Sequence, residues 1–170
     1  MQWSLTQTVP PFVEPLTAAE LKLWARIDTS ADDTLVDALI KAAVRHAEAF
    51  TRRQFITATY TLQLDAFPSY RWIELPVPPL QSVASISYVD TDGVTQTWSA
   101  SLYRVDTKAA PGRIEPAYGE VWPSTRDIIN AVVGTFVAGY GAAGTNVPEP
   151  ILTAIRQLAA HWYEERQTVT

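Results

Sequence analysis

Apolar and polar positions change period twice along this chain, dividing it into a helical beginning, a strand-like middle and a helical end. Near the start, Leu16-Thr17-Ala18-Ala19-Glu20-Leu21 is a helix opening. Thr17 can cap, Glu20 three residues on completes a capping box, and Leu16 and Leu21 make a hydrophobic staple. This short helix is expected to end near Arg26 or Ile27. Ser30-Ala31-Asp32-Asp33 opens a second helix, Ala31 to Thr51, with two acids in the first turn where the helix dipole favours them. At about 100° per residue, Leu35, Val36, Leu39, Ile40, Ala43, Val44, His46, Ala47 and Phe50 cover half its circumference. Asp37, Lys41, Arg45, Glu48 and Arg52 fill the remaining polar arc.

From Gln54 the period becomes two. Ile56, Ala58, Tyr60, Leu62 and Leu64 alternate with Thr57, Thr59, Thr61 and Gln63, as a half-buried strand requires. Arg71 to Leu75 reads as a short strand, and Pro76-Val77-Pro78-Pro79 forbids either a helix or a central strand. Ser82 to Val89 and Val94 to Trp98 flank the hairpin turn Asp90-Thr91-Asp92-Gly93. Leu102 to Asp106, Arg113 to Glu115 and Ala131 to Ala138 bring the expectation to five to seven strands, with no regular element between Pro116 and Asn130.

A last helix, Ile151 to Arg166, follows a Gly-rich loop. Ile151, Ile155, Leu158 and Trp162 lie on one face of it, and the only helices it could pack on precede residue 55. The expected fold class is therefore α+β: a three-helix frame, two helices N-terminal and one C-terminal, with an inserted antiparallel β region. The boundaries follow: an extended arm over 1–16, a helical core from 17–53 and 147–170, and a β-rich insertion over 54–146. The arm holds Trp3, Leu5, Val9, Phe12 and Val13 with three prolines and one charge, Glu14. Two readings stand side by side, a strand packed on its own domain or an arm docked on a neighbouring subunit.

Composition narrows the function classes. With 47% hydrophobic and 18% charged residues the chain reads as globular rather than disordered. It contains no cysteine, which excludes disulfides and thiolate metal sites. The start lacks the basic and apolar regions of a signal peptide, and no apolar run approaches the ~20 residues of a membrane span. A soluble protein of a reducing compartment, with no membrane partner, is expected. The net charge of −5 is spread, at −1 over 1–53, −3 over 54–145 and −1 over 146–170, without the basic patch of a duplex binder.

Three features invite a chemical reading. Gly139-x-Gly141-x-x-Gly144 matches a dinucleotide fingerprint, but no second parallel strand with a ribose-binding acid follows, and Pro148 and Pro150 remove amide donors at the helix mouth. A plain strand-to-helix turn is expected. His46 falls in an apolar arc and reads as a hydrogen-bonded core histidine; His161 lies off the stripe, four residues before Glu165. Two lone histidines make a poor metal site, and no Gly-x-Ser-x-Gly occurs. No enzyme, cofactor or metal is expected. Trp72, Trp98 and Trp122 could form a glycan or peptide platform, whereas scattered tryptophans more often anchor cores and interfaces. Three exposed, coplanar rings would favour the platform.

Several stretches in collinear order resemble the head–tail connector, or adaptor, family of long-tailed phages and gene transfer agents. They are Val13-Glu14-Pro15-Leu16-Thr17, Asp33 to Phe55 and Leu64-Asp65-Ala66-Phe67-Pro68. Further on come Leu75 to Val83, Tyr88 to Gly93, Phe136 to Gly141 and the closing helix. The resemblance implies a structural virion protein: a dodecameric ring beneath the portal that extends the DNA channel and docks a stopper or tail-completion protein. DNA would pass through without specific binding. Its place would be the head–tail interface, and the host cytoplasm during assembly. The C-terminal tail, Glu165, Arg166, Gln167, Thr168, Val169 and Thr170, is the expected portal contact. Trp3, Leu5, Val9 and Phe12 of the arm and Val36, Ile40 and Val44 of the second helix are the expected subunit contacts. The alternative, from another class, is a non-catalytic ligand- or carbohydrate-binding β module on a helical frame.

Overall fold

The fold, seen in a computed structural model that describes residues 3–165, consists of two compact units. One combines the described part of Met1–Pro10 with Thr57–Gly139, the other Pro11–Ile56 with the described part of Tyr140–Thr170.

The second unit is a three-helix bundle. α1 (Ala18–Ala25) starts as its sequence dictates: the Thr17 hydroxyl accepts from the Glu20 amide, and a Glu20 carboxylate oxygen accepts from the Thr17 amide at 2.8 Å. Arg26 closes the helix in the left-handed region. α2 (Asp33–Thr51) begins two residues later than the sequence suggests, because Asp32 takes the cap position without a side-chain cap bond. α3 (Glu149–Glu164) has Pro150 in its first turn, where a missing amide costs nothing. Leu16, Leu21, Val36, Ile40, Ala43, Val44, Phe55, Leu152, Ile155 and Ala159 form the shared core. The buried edge of α3 is thus Leu152–Ile155–Ala159, rotated from the expected stripe. Ile151, Leu158 and Trp162 flank it, half-buried.

The other unit is built, among the described residues, from eight strands and one short 3₁₀ turn, Ala100–Leu102. β1 (Trp3–Val9), β2 (Ala58–Leu64), β4 (Leu80–Val89), β5 (Thr95–Trp98) and β8 (Val132–Ala138) form a five-stranded sheet in the order β1-β2-β8-β4-β5. β3 (Ile73–Leu75), β6 (Tyr103–Asp106) and β7 (Gly112–Pro116) form a three-stranded sheet in the order β3-β7-β6. Every pair is antiparallel. Leu62, Leu64, Ile86, Val132 and Phe136 from the larger sheet and Ile73, Leu75 and Ile114 from the smaller share one core. β1 is where the arm goes: its residues pair with β2 from Trp3↔Leu64 to Val9↔Thr59, so the described arm up to Val9 is an edge strand of its own unit.

Two predictions follow from the bundle. Ile155→Ala, at a fully buried position, should lower unfolding free energy by about 3 kcal/mol, and half-buried Trp162→Ala by less, measured by denaturant titration. The capping box gives a pH dependence: the Thr17 hydroxyl and amide bonds hold Glu20 below its ordinary 4.5. A depressed folded pKa contributes stability above the unfolded value that is lost as pH falls through the folded one. The melting temperature of wild type should therefore drop below pH 4.5 by more than that of Glu20→Gln.

Candidate assembly surfaces

Large apolar side chains at the surface are numerous in both units. Phe12 (92% exposed), Leu23, Trp24 and Phe50 lie on the bundle; Trp3, Tyr70, Tyr118 (96%), Val121 and Ile129 lie on the β unit. Side chains of this size left in water mark contact surfaces when they gather.

The expected subunit contacts divide. Trp3, Val9 and Phe12 are exposed and Leu5 is half-buried, so these are available to a partner. Val36, Ile40 and Val44 are not: each is at most 2% exposed and packs against α1 and α3 in the core. The wide apolar arc of α2 is used by two helical neighbours within the bundle. Its outward apolar side chains are Leu35 and Phe50 instead, which the periodicity had assigned to the same arc. Of the expected portal contact, Glu165 is exposed just past α3, and Arg166, Gln167, Thr168, Val169 and Thr170 lie outside the described residues.

The Gly-rich loop is filled by its own chain. A Cβ on Gly144 would sit 2.2 Å from the Pro15 carbonyl oxygen, and one on Gly141 would meet the Asn146 side chain. Asn146 accepts from the Ala143 amide at 3.1 Å, tightening the loop into a short 3₁₀ turn over Gly144–Asn146. These glycines allow the loop to pack closely against Pro15 and Asn146. Gly144→Ala should lower stability by about 1–3 kcal/mol in thermal melts, because backbone rather than a flexible side chain must give way.

His46 is exposed, not a core histidine; its ring meets Trp162 edge-on at 5.9 Å. It lies at the rim of the α2–α3 contact, where Trp162 of α3 covers one side of the ring and solvent the other. His161 is exposed as expected. Among the described residues no group of three or more His, Cys, Asp or Glu could hold a metal ion, and no helix is long and apolar enough to cross a membrane.

The tryptophans do not make a platform. Trp98 is buried, stacked on Tyr103 at 5.3 Å, and its ring tilts 42° from that of Trp122. Trp122 stacks on Phe67 at 4.9 Å and donates to the Tyr70 carbonyl, so it anchors the Pro116–Asn130 segment to the β core. Beside it lies an open groove of about 660 Å³ edged by Tyr70, Arg71, Arg104, Tyr118 and Val121.

One residue at the end of α2 has a role its place in the polar arc did not reveal. Glu48 is largely shielded and accepts from Arg45, from the side-chain amide of Gln54 at 2.7 Å and from the Phe55 amide at 3.0 Å. Gln54 is the one buried polar residue of the described chain. The carboxylate thereby fixes the path of the backbone as it leaves the bundle.

The family described as phage gp6-like head-tail connector protein matches residues 16–91, from the staple of α1 to the β4–β5 turn. Over those residues, somewhat under half of its length, the chain is similar to the head–tail connector family. Solved structures are similar over nearly the whole chain. The chain is similar to a chain in the neck of an empty gene transfer agent particle reconstructed with C6 symmetry, at 27% identity and a TM-score of 0.85. That similarity covers 98% of this chain and 87% of the other. A chain in the virion of a native gene transfer agent particle gives 27%, 0.84 and the same coverage. One in the native neck reconstructed with C12 symmetry gives 26% and 0.79, covering 100% and 87%. No curated protein is significantly similar in sequence.

Proposed function

We propose that this chain is a structural virion protein, a head–tail adaptor that stands as a ring at the neck of a phage or gene transfer agent particle. The observation that carries the reading is similarity over the whole chain to neck subunits in particles of C6 and C12 symmetry. The surface fits: apolar side chains protrude from both units, and the chain presents the net charge of −5 of a protein that does not grip phosphate. No catalytic role enters this reading. The ligand-binding alternative is not favoured, because its ring platform is broken up by the burial of Trp98.

The finer assignments are part of the proposal. The ring sits beneath the portal, extends the DNA channel and receives a stopper or tail-completion protein. The tail from Glu165 to Thr170 reaches the portal, and Trp3, Leu5, Val9 and Phe12 touch a neighbouring copy. Removing residues 165–170 should leave melting unchanged and abolish portal binding in a pull-down; retained binding at wild-type affinity moves the contact elsewhere. At ~150 mM salt, where charge acts over about 8 Å, duplex DNA should show no submicromolar binding by anisotropy. Tight binding there contradicts a channel through which DNA slides.

A further inference from the structure

The two sheets of the β unit treat their open edges differently. The edges of the three-stranded sheet carry charges: Glu74 in β3, Arg104 and Asp106 in β6. Charges on an edge strand are the usual guard against pairing with another chain. The five-stranded sheet has no such guard. Its edges are β1, Trp-Ser-Leu-Thr-Gln-Thr-Val, and β5, Thr-Gln-Thr-Trp, without a charged residue or a proline in either. All of β1 except Leu5, and Thr95, Gln96 and Thr97 of β5, are exposed. The same tripeptide stands at both edges: Thr6-Gln7-Thr8 and Thr95-Gln96-Thr97.

Strand direction adds a second constraint. The four neighbouring pairs of this sheet are antiparallel, so with five strands β1 and β5 point the same way. Rotation about a ring axis preserves direction along that axis. In a cyclic assembly, β1 of the next copy would therefore meet β5 in parallel. Parallel strands of identical sequence align like side chains with like, threonine beside threonine and glutamine beside glutamine, while the Gln7 amide keeps its bond to Tyr60 and the Gln96 amide its bond to Asp90.

We infer that β1 of one copy adds to β5 of the next through these Thr-Gln-Thr segments, joining neighbouring subunits by a parallel edge-to-edge seam. The inference rests on the ring reading and names the contact that joins its copies. The occupant is a second copy of this chain, since the complementary edge is its own. A two-fold dimer would instead set β1 antiparallel to β1. Five spacings of about 4.8 Å make a repeat of about 24 Å per copy along such a seam.

Native cysteine is absent, so engineered thiols read the contact without background. Strand spacing of about 4.8 Å places Cα atoms within the reach of a disulfide. Gln7→Cys combined with Gln96→Cys, oxidised mildly in the assembled ring, should give a ladder of covalent multimers on a non-reducing gel. A mixture of the two single variants should give one heterodimer band. Thr6→Lys or Thr97→Lys should abolish the ring in light scattering while leaving the melting temperature unchanged. Bridging of Gln7→Cys to itself, or a disulfide within one chain, overturns the seam. So does a ring that is intact by light scattering but never bridges, and that result leaves the ring reading standing. A wild-type chain that stays monomeric even with portal present overturns both.

Discussion

The architecture depends on closing a bundle whose third helix arrives some hundred residues after the second. α3 buries Leu152, Ile155 and Ala159 against residues before Phe55, so the insertion has to begin and end at the same point. Two short contacts make that point. The Tyr140 amide donates to the Phe55 carbonyl at 2.9 Å, and Ile56 bridges Gly141 in parallel. Glu48 holds the outgoing strand through Gln54 and Phe55, and the Gly141–Gly144 loop lets the returning chain lie against Pro15. Loop-closure entropy grows only slowly with length, so a long insertion costs little once its ends are pinned.

The pinning also explains the place of the one buried polar side chain among the described residues. A buried amide is tolerated where its hydrogen bonds are made, and Gln54 meets a carboxylate that already sits at the end of α2. Charge-assisted bonds are about twice as strong as neutral ones and strongly directional. A polar clamp here fixes direction in a way that another Leu would not. The apolar core next to it, Phe55 and Ile56, then supplies the burial.

Much of this was legible in the amino acids. The Thr17–Glu20 box, the alternation from Ala58 to Leu64 and the Asp90–Gly93 turn each rest on local chemistry, and each stands where local chemistry puts it. Periodicity failed where tertiary context decides. It marked the apolar face of α2 without telling that two helices would cover Val36, Ile40 and Val44, or that His46 would lie exposed at the rim beside Trp162. It placed Glu48 in a solvated arc because a carboxylate's partner six or seven residues ahead, beyond the helix end, leaves no periodic mark. The arm posed a similar ambiguity: Trp3 to Val9 suits an edge strand and a subunit contact alike, and pairing with β2 leaves one edge of that strand for a partner.

A ring subunit has to reconcile solubility before assembly with cohesion after it. Covering every apolar side chain would remove the cohesion; clustering them all on one face would invite open-ended association. Here they are divided between two units, and the net charge of −5 adds a mild repulsion between free copies. That repulsion is screened beyond a Debye length of about 8 Å at physiological salt, so it opposes random collision more than a fitted contact. The same charge serves the proposed channel, where attraction to phosphate would slow the passage of DNA. A modest negative net charge together with exposed apolar side chains meets both demands with one composition.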